Sequence, residues 1–149
     1  MNPFDLKSAL LAKHAQHVVM IHFPIALFIV SVAFDGLAQW KKNPALAAAA
    51  YYNLTAAAVS VLPTLATGAL AWQWQLEGKA IRGTLRLHII LAVLSSVLIW
   101  LIWWFQFRGR RSRQPTETPL RLSLEFATVV LITLTGHLGG FLSGINSPG

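Results

Sequence analysis

Residues 17–40 read HVVMIHFPIALFIVSVAFDGLAQW, an apolar run whose only ionisable groups are His17, His22 and Asp35. As a helix, about 20 such residues reach across the roughly 30 Å hydrocarbon core of a bilayer. Three further runs of this kind follow, at 47–72, 86–107 and 122–144, separated by short polar links. None alternates apolar and polar residues with period two, as a half-buried strand would. The expected fold is therefore all-α: an integral-membrane, up-down-up-down four-helix bundle. Residues 17–149 form its transmembrane domain. The preceding segment, 1–16, sets Leu6, Leu10 and Leu11 against Lys7 and Lys13, which suggests an amphipathic piece lying on the membrane surface. It lacks the long apolar stretch of a cleaved signal peptide.

Composition agrees with the spans. Of 149 residues, 55% are hydrophobic and 11% are charged, against about 25% charged in soluble domains. With no cysteine, disulfides, thiolate metal sites, c-type haem attachment and Cys-bound iron–sulfur clusters are excluded. The net charge of +7 does not point to nucleic acid, because the basic residues sit between the apolar runs, where they set topology.

Those basic residues are uneven. The links after the first and third runs, KKNPA and RGRRSRQPTETPLR, hold seven: Lys41, Lys42, Arg108, Arg110, Arg111, Arg113 and Arg121. Lys7, Lys13, Lys79, Arg82 and Arg86 lie on the other side. The positive-inside rule puts the two links in the cytoplasm and both termini outside. In a bacterium this means an inner-membrane, multi-pass protein with periplasmic termini. The second basic link, polar and with two prolines, is expected to be a flexible loop.

With that topology the histidines share a depth. His17 and His22 open the first span, His88 opens the third, and His137 lies about seven residues before the outer end of the fourth. At 1.5 Å per residue all four fall within roughly 10 Å of the outer hydrocarbon edge. Ionisable residues at membrane depth mark functional sites by default. Zinc or copper recruits three or four ligands, often thiolates or carboxylates, and this layer has neither. Haem brings four nitrogens of its own and asks for axial ligands and apolar walls. A chlorophyll-type pigment, needing one histidine per magnesium, fits nearly as well.

Diagonal helices leave more room for two axial imidazoles than adjacent ones, which pack at 8–10 Å. Spans one and three are diagonal, so His22 and His88 are the first choice of axial pair for haem b. His137 lines the same pocket or, with His17, serves a second haem. Lys79, Arg82 and Arg86 stand at the wet edge, suited to haem propionates. Pro24 either starts the regular helix or kinks it and frees the Met20 carbonyl, and is expected to aim His22 inward. Gly68, Gly136, Gly139 and Gly140 allow close approach of a macrocycle or a helix. Near the opposite boundary, Asp35 and Glu125 are expected to form an ion pair with Arg108 or Arg121, or to assist proton movement.

The motif His17-x4-His22-Phe-Pro-Ile-Ala-Leu resembles the signature of a family of small bacterial membrane proteins catalogued as DUF2231. ATGALAW, 66–72, is similar to the family's Ala-Thr-Gly-x-x-Asp-Trp, with Ala71 in place of the Asp. RLHIILAVL, 86–94, matches its histidine at the start of span three. GHLGGFLSG, 136–144, resembles its glycine motif in span four, but Gly144 and Ile145 stand where another histidine is frequent. Asp35 falls where the family tends to carry an acid. The resemblance implies a four-helix fold and, through frequent fusion of family members to cytochrome c-like domains, a redox setting.

Two functions from different classes are therefore expected. One is a b-type haem electron-transfer subunit near the periplasmic face. It would work between the quinone pool and a cytochrome c-like protein or periplasmic dehydrogenase, as part of a membrane oxidoreductase. The other is a non-redox membrane anchor of a larger complex that binds lipid or pigment.

Overall fold

The computed structural model describes residues 13–112 and 118–143. Four helices follow one another: α1 (Lys13–Lys41), α2 (Pro44–Gln75), α3 (Gly83–Ser112) and α4 (Thr118–Leu142). All four are long and apolar enough to span a membrane. The proposed surface segment falls largely on residues 1–12, outside those described; its last four residues belong to α1.

The helices overrun the apolar stretches at their ends. Arg108, Gly109, Arg110 and Arg111 continue α3 instead of forming a loop. Arginine is a good helix former, and cations in a last turn complement the helix dipole. Between α1 and α2 the chain turns through Lys42, with φ of 49°, and Asn43. Asn43 caps α2 by accepting from the backbone N–H groups of Ala45 and Leu46, and Pro44 takes the first helical position.

Helix α1 packs most closely on α2, and α3 on α4. Looser seams join α2 to α3 and α1 to α4, so α1 and α3 lie on a diagonal. Alanines at 47–50 and 56–58 let α2 approach α1 closely, near enough for Ser31 Oγ to donate to the Ala50 carbonyl at 2.8 Å. The central core joins Phe28, Leu54, Ala57, Val61, Ile99, Ile102 and Ile132. Phe23, Val59, Ile90, Val97 and Leu134 point outward, as expected where lipid is the solvent.

Each helix buries one stripe spaced by sevens. In α1 it runs through Pro24, Ser31 and Ala38, with Phe28 and Asp35 beside them; in α3 through Ser95 and Ile102, with Ile99 and Gln106. In α4 it holds Glu125, Thr128 and Ile132, and in α2 Ala50, Leu54, Ala57, Val61 and Ala71. A 3.5-residue repeat keeps one seam facing the bundle axis.

Pro24 sits inside α1 and is buried. Having no N–H, it leaves the Met20 carbonyl without its helical partner. Thr64 on α2 supplies one: its hydroxyl lies 3.2 Å from Met20 O and 2.8 Å from Ser60 O. The proline irregularity of α1 is thus stitched to α2.

Candidate functional site

The seven-residue stripes decide which histidines face inward. Continuing the α1 stripe backward from Pro24 leads to His17. His22, five residues on, lies about 140° round the helix. The structure turns His22 to the exposed face, where its Nδ1 bonds the Val18 carbonyl of its own helix at 2.6 Å. Pro24 does not aim it inward. His17 is half-buried instead, its ring packed against α2.

In α3 the stripe leads back from Ser95 to His88, also half-buried. In α4 it leads from Ile132 to Gly139 and leaves His137 exposed, edge-on to Phe141 with ring centroids 5.0 Å apart. His17 and His88 thus stand on the inward faces of the diagonal helices at the same end of the bundle. The inward histidine that shares this end of the bundle with His88 is therefore His17, and His22 is turned to the exposed face.

Both inward rings are held by their Nδ1 atoms. His88 Nδ1 lies 3.0 Å from the Thr135 carbonyl oxygen, which can only accept, so Nδ1 carries the proton. His17 Nδ1 lies 3.2 Å from Thr67 Oγ1. The single proton of that hydroxyl is directed at the carbonyls of Pro63 and Thr64, at 2.9 and 3.0 Å. In the tautomer where Thr67 gives its proton to one of these carbonyls, His17 Nδ1 is the donor. The neutral His88 ring then carries its lone pair on Nε2, and His17 does the same in that tautomer. This is how ligating histidines are oriented, with one nitrogen tied to an outer partner and the other left for the metal.

The glycines serve the imidazoles. A Cβ built on Gly68 would lie 3.0 Å from His17 Cε1, and one on Gly139 would lie 3.3 Å from His88 Cε1. Each ring thus rests on bare backbone of the neighbouring helix. Gly136 faces open space. Arg82 and Arg86 are exposed at this end, around the start of α3, as is Lys79, whose carbonyl accepts from Trp72 Nε1 at 3.0 Å. Among the described residues no three of His, Cys, Asp or Glu group closely enough to hold a metal ion by themselves.

The family of predicted membrane proteins catalogued as DUF2231 matches residues 13–144. The chain belongs to this family. Comparison with curated proteins and with solved structures gave no match. The match covers all four helices and contains both inward histidines. The DUF2231 motifs acquire structural roles here. In HVVMIHFPIAL the first histidine enters the bundle and the proline opens α1 to Thr64. In ATGALAW, Thr67 holds His17 and Gly68 makes room for it. In GHLGGFLSG, Gly139 seats His88.

Thr67 and Thr135 were not singled out as partners of the histidines by sequence reasoning. The signal was available for Thr67, which adjoins a glycine on the α2 stripe. For Thr135 the contact uses a backbone carbonyl, to which the residue type contributes nothing.

Proposed function

We propose that this multi-pass membrane protein is a b-type electron-transfer subunit that holds one haem b at the histidine end of the bundle, with His17 and His88 as axial ligands. The supporting observation is the pair of inward imidazoles on diagonal helices, each held through Nδ1 by a neighbouring helix. Bound haem would supply reversible one-electron transfer. The chain's own part is to orient two neutral imidazoles, to keep the surrounding layer apolar and to place Arg82 and Arg86 at the wet edge for the propionates. His22 and His137 lie on outer faces of the bundle and take no part in this pair.

In this reading the histidine end faces the periplasm of a bacterial inner membrane. Electrons pass between a membrane donor such as quinone and a cytochrome c-like protein or periplasmic dehydrogenase. The test is a dithionite-reduced minus oxidised spectrum of chain expressed with haem supplied. Wild type and His22→Ala should show a sharp b-type α-band. His17→Ala and His88→Ala should lose it or convert it to a high-spin form. A wild-type chain without haem would favour the anchor reading, and a band lost only in His22→Ala would return the ligand to the outer face.

A further inference from the structure

At the opposite end, α1, α3 and α4 bring four polar side chains into the bundle: Asp35, Gln106, Arg121 and Glu125. Asp35 is 4% exposed, Gln106 8% and Glu125 1%. Arg121 Nη2 donates to Asp35 Oδ2 at 2.8 Å. Gln106 Nε2 donates to Glu125 Oε1 at 3.1 Å. Arg121 Nε stands 3.8 Å from that same Oε1, too far for a hydrogen bond. Glu125 Oε2 and Arg121 Nε are buried, and neither has a hydrogen-bond partner among the described residues.

The charges do not balance if all are present. Two carboxylates share one guanidinium, and Asp35 has the direct contact. Glu125 keeps a neutral amide and, at 3.8 Å, an ion-pair contact with the guanidinium whose hydrogen bond goes to Asp35. Facing it are Asp35 from α1, Gln106 from α3 and Arg121 from its own helix. Arg110, also on α3, is turned to α2, where it bonds the Ala47 carbonyl at 2.9 Å and covers the Tyr51 ring. An uncompensated charge inside a membrane bundle is among the costliest arrangements available to a side chain.

We propose that this cluster is a proton-binding site, in which the Glu125 carboxylate takes up one proton and is held as the neutral acid beside the Asp35–Arg121 pair. The proton makes the cluster electrically neutral and turns the orphaned Oε2 from a buried anionic oxygen into part of an uncharged carboxyl. Asp35 sets this state by occupying Arg121. The site is independent of the histidine end.

Infrared absorption of the full chain in an alkyl-maltoside detergent, which has no ester carbonyl, tests it. At neutral pH the wild type should show the carbonyl stretch of one un-ionised carboxylic acid. The band should move on deuterium exchange and on incorporation of carboxyl-13C glutamate, which needs no mutation. Glu125→Gln should remove it, and Glu77→Gln and Glu117→Gln should leave it. Asp35→Asn should also abolish it, because Arg121 then requires Glu125 as its counter-ion. No such band, a band indifferent to labelled glutamate, or a band unchanged in Asp35→Asn would overturn the proposal.

Discussion

His17 shows how much depends on a single side chain's angular position. It lies five residues, about 7.5 Å along the helix, before a second histidine, yet only one of the two looks inward. The choice is made by the neighbours of Pro24, not by the histidines. The packing of its ring on Gly68 makes a sharp prediction. Alanine normally stabilises a helix relative to glycine, by roughly 0.5–1 kcal/mol. Gly36→Ala should show that gain, since nothing lies within 4 Å of the new Cβ. Gly68→Ala should instead lose roughly 1–3 kcal/mol, the usual cost of overpacking, because the Cβ would meet His17 Cε1 at 3.0 Å. Detergent-denaturant unfolding of the two variants checks the opposite signs. Gly68→Ala should regain stability when His17 is also replaced by alanine.

At the scale of elements, four spans, their order and the α1–α3 diagonal are legible in hydropathy and link length alone. The ends of the helices are not. Hydropathy stops at the membrane edge, whereas helix propensity carries α3 on through its arginines. The inward histidine is legible only when the apolar run is read for its seven-residue stripe. A uniformly greasy span hides that signal, because lipid and core accept the same residues. The small and polar members betray the stripe: Ser31 and Asp35 in α1, Ser95 and Gln106 in α3, Glu125 and Thr128 in α4 are all buried. Asp35 with Arg121 was one of the pairs expected at that boundary, and the 2.8 Å contact realises it. Gln106 went unremarked, although it stands on the α3 stripe. The stitch between Pro24 and Thr64 carries its own expectation. Thr64→Val removes the donor to Met20 O and should cost about 0.6 kcal/mol, the average for an interhelical hydrogen bond in a membrane bundle. Pro24→Ala restores an N–H within α1, so Thr64→Val should cost less in that background. A double-mutant cycle measures the difference.

For the molecule as a whole, two polar layers stand at opposite ends of an apolar bundle, and its orientation decides which faces which compartment. The positive-inside rule acts on basic residues near span ends. The dense run Arg108–Arg113 and the pair Lys41–Lys42 outweigh Lys79, Arg82 and Arg86. Alkaline phosphatase fused after Gly149 should therefore be active, and the same fusion within the Arg108–Arg121 link should be inactive. The reverse pattern would put the histidine end in the cytoplasm.

Charge at the histidine end then has a consequence for any haem held there. Arg82 and Arg86 are cationic groups at the wet edge, and positive charge favours the reduced haem, whose iron carries one charge less. Two unit charges 4 Å apart interact by about 4 kcal/mol at an effective dielectric near 20. An exposed arginine is farther from the iron than that and is screened by salt, so about 1 kcal/mol is the appropriate scale. For a one-electron couple a tenfold change in equilibrium is about 59 mV, which makes this roughly 40 mV. Arg86→Gln should lower the midpoint potential by some tens of millivolts without loss of the cofactor, and the shift should shrink as ionic strength rises. Redox titration of both proteins at fixed pH, at low and high salt, separates this from a change of ligand, which would alter the α-band as well. An unchanged or raised potential would place the propionates away from Arg86 while leaving the roles of His17 and His88 intact.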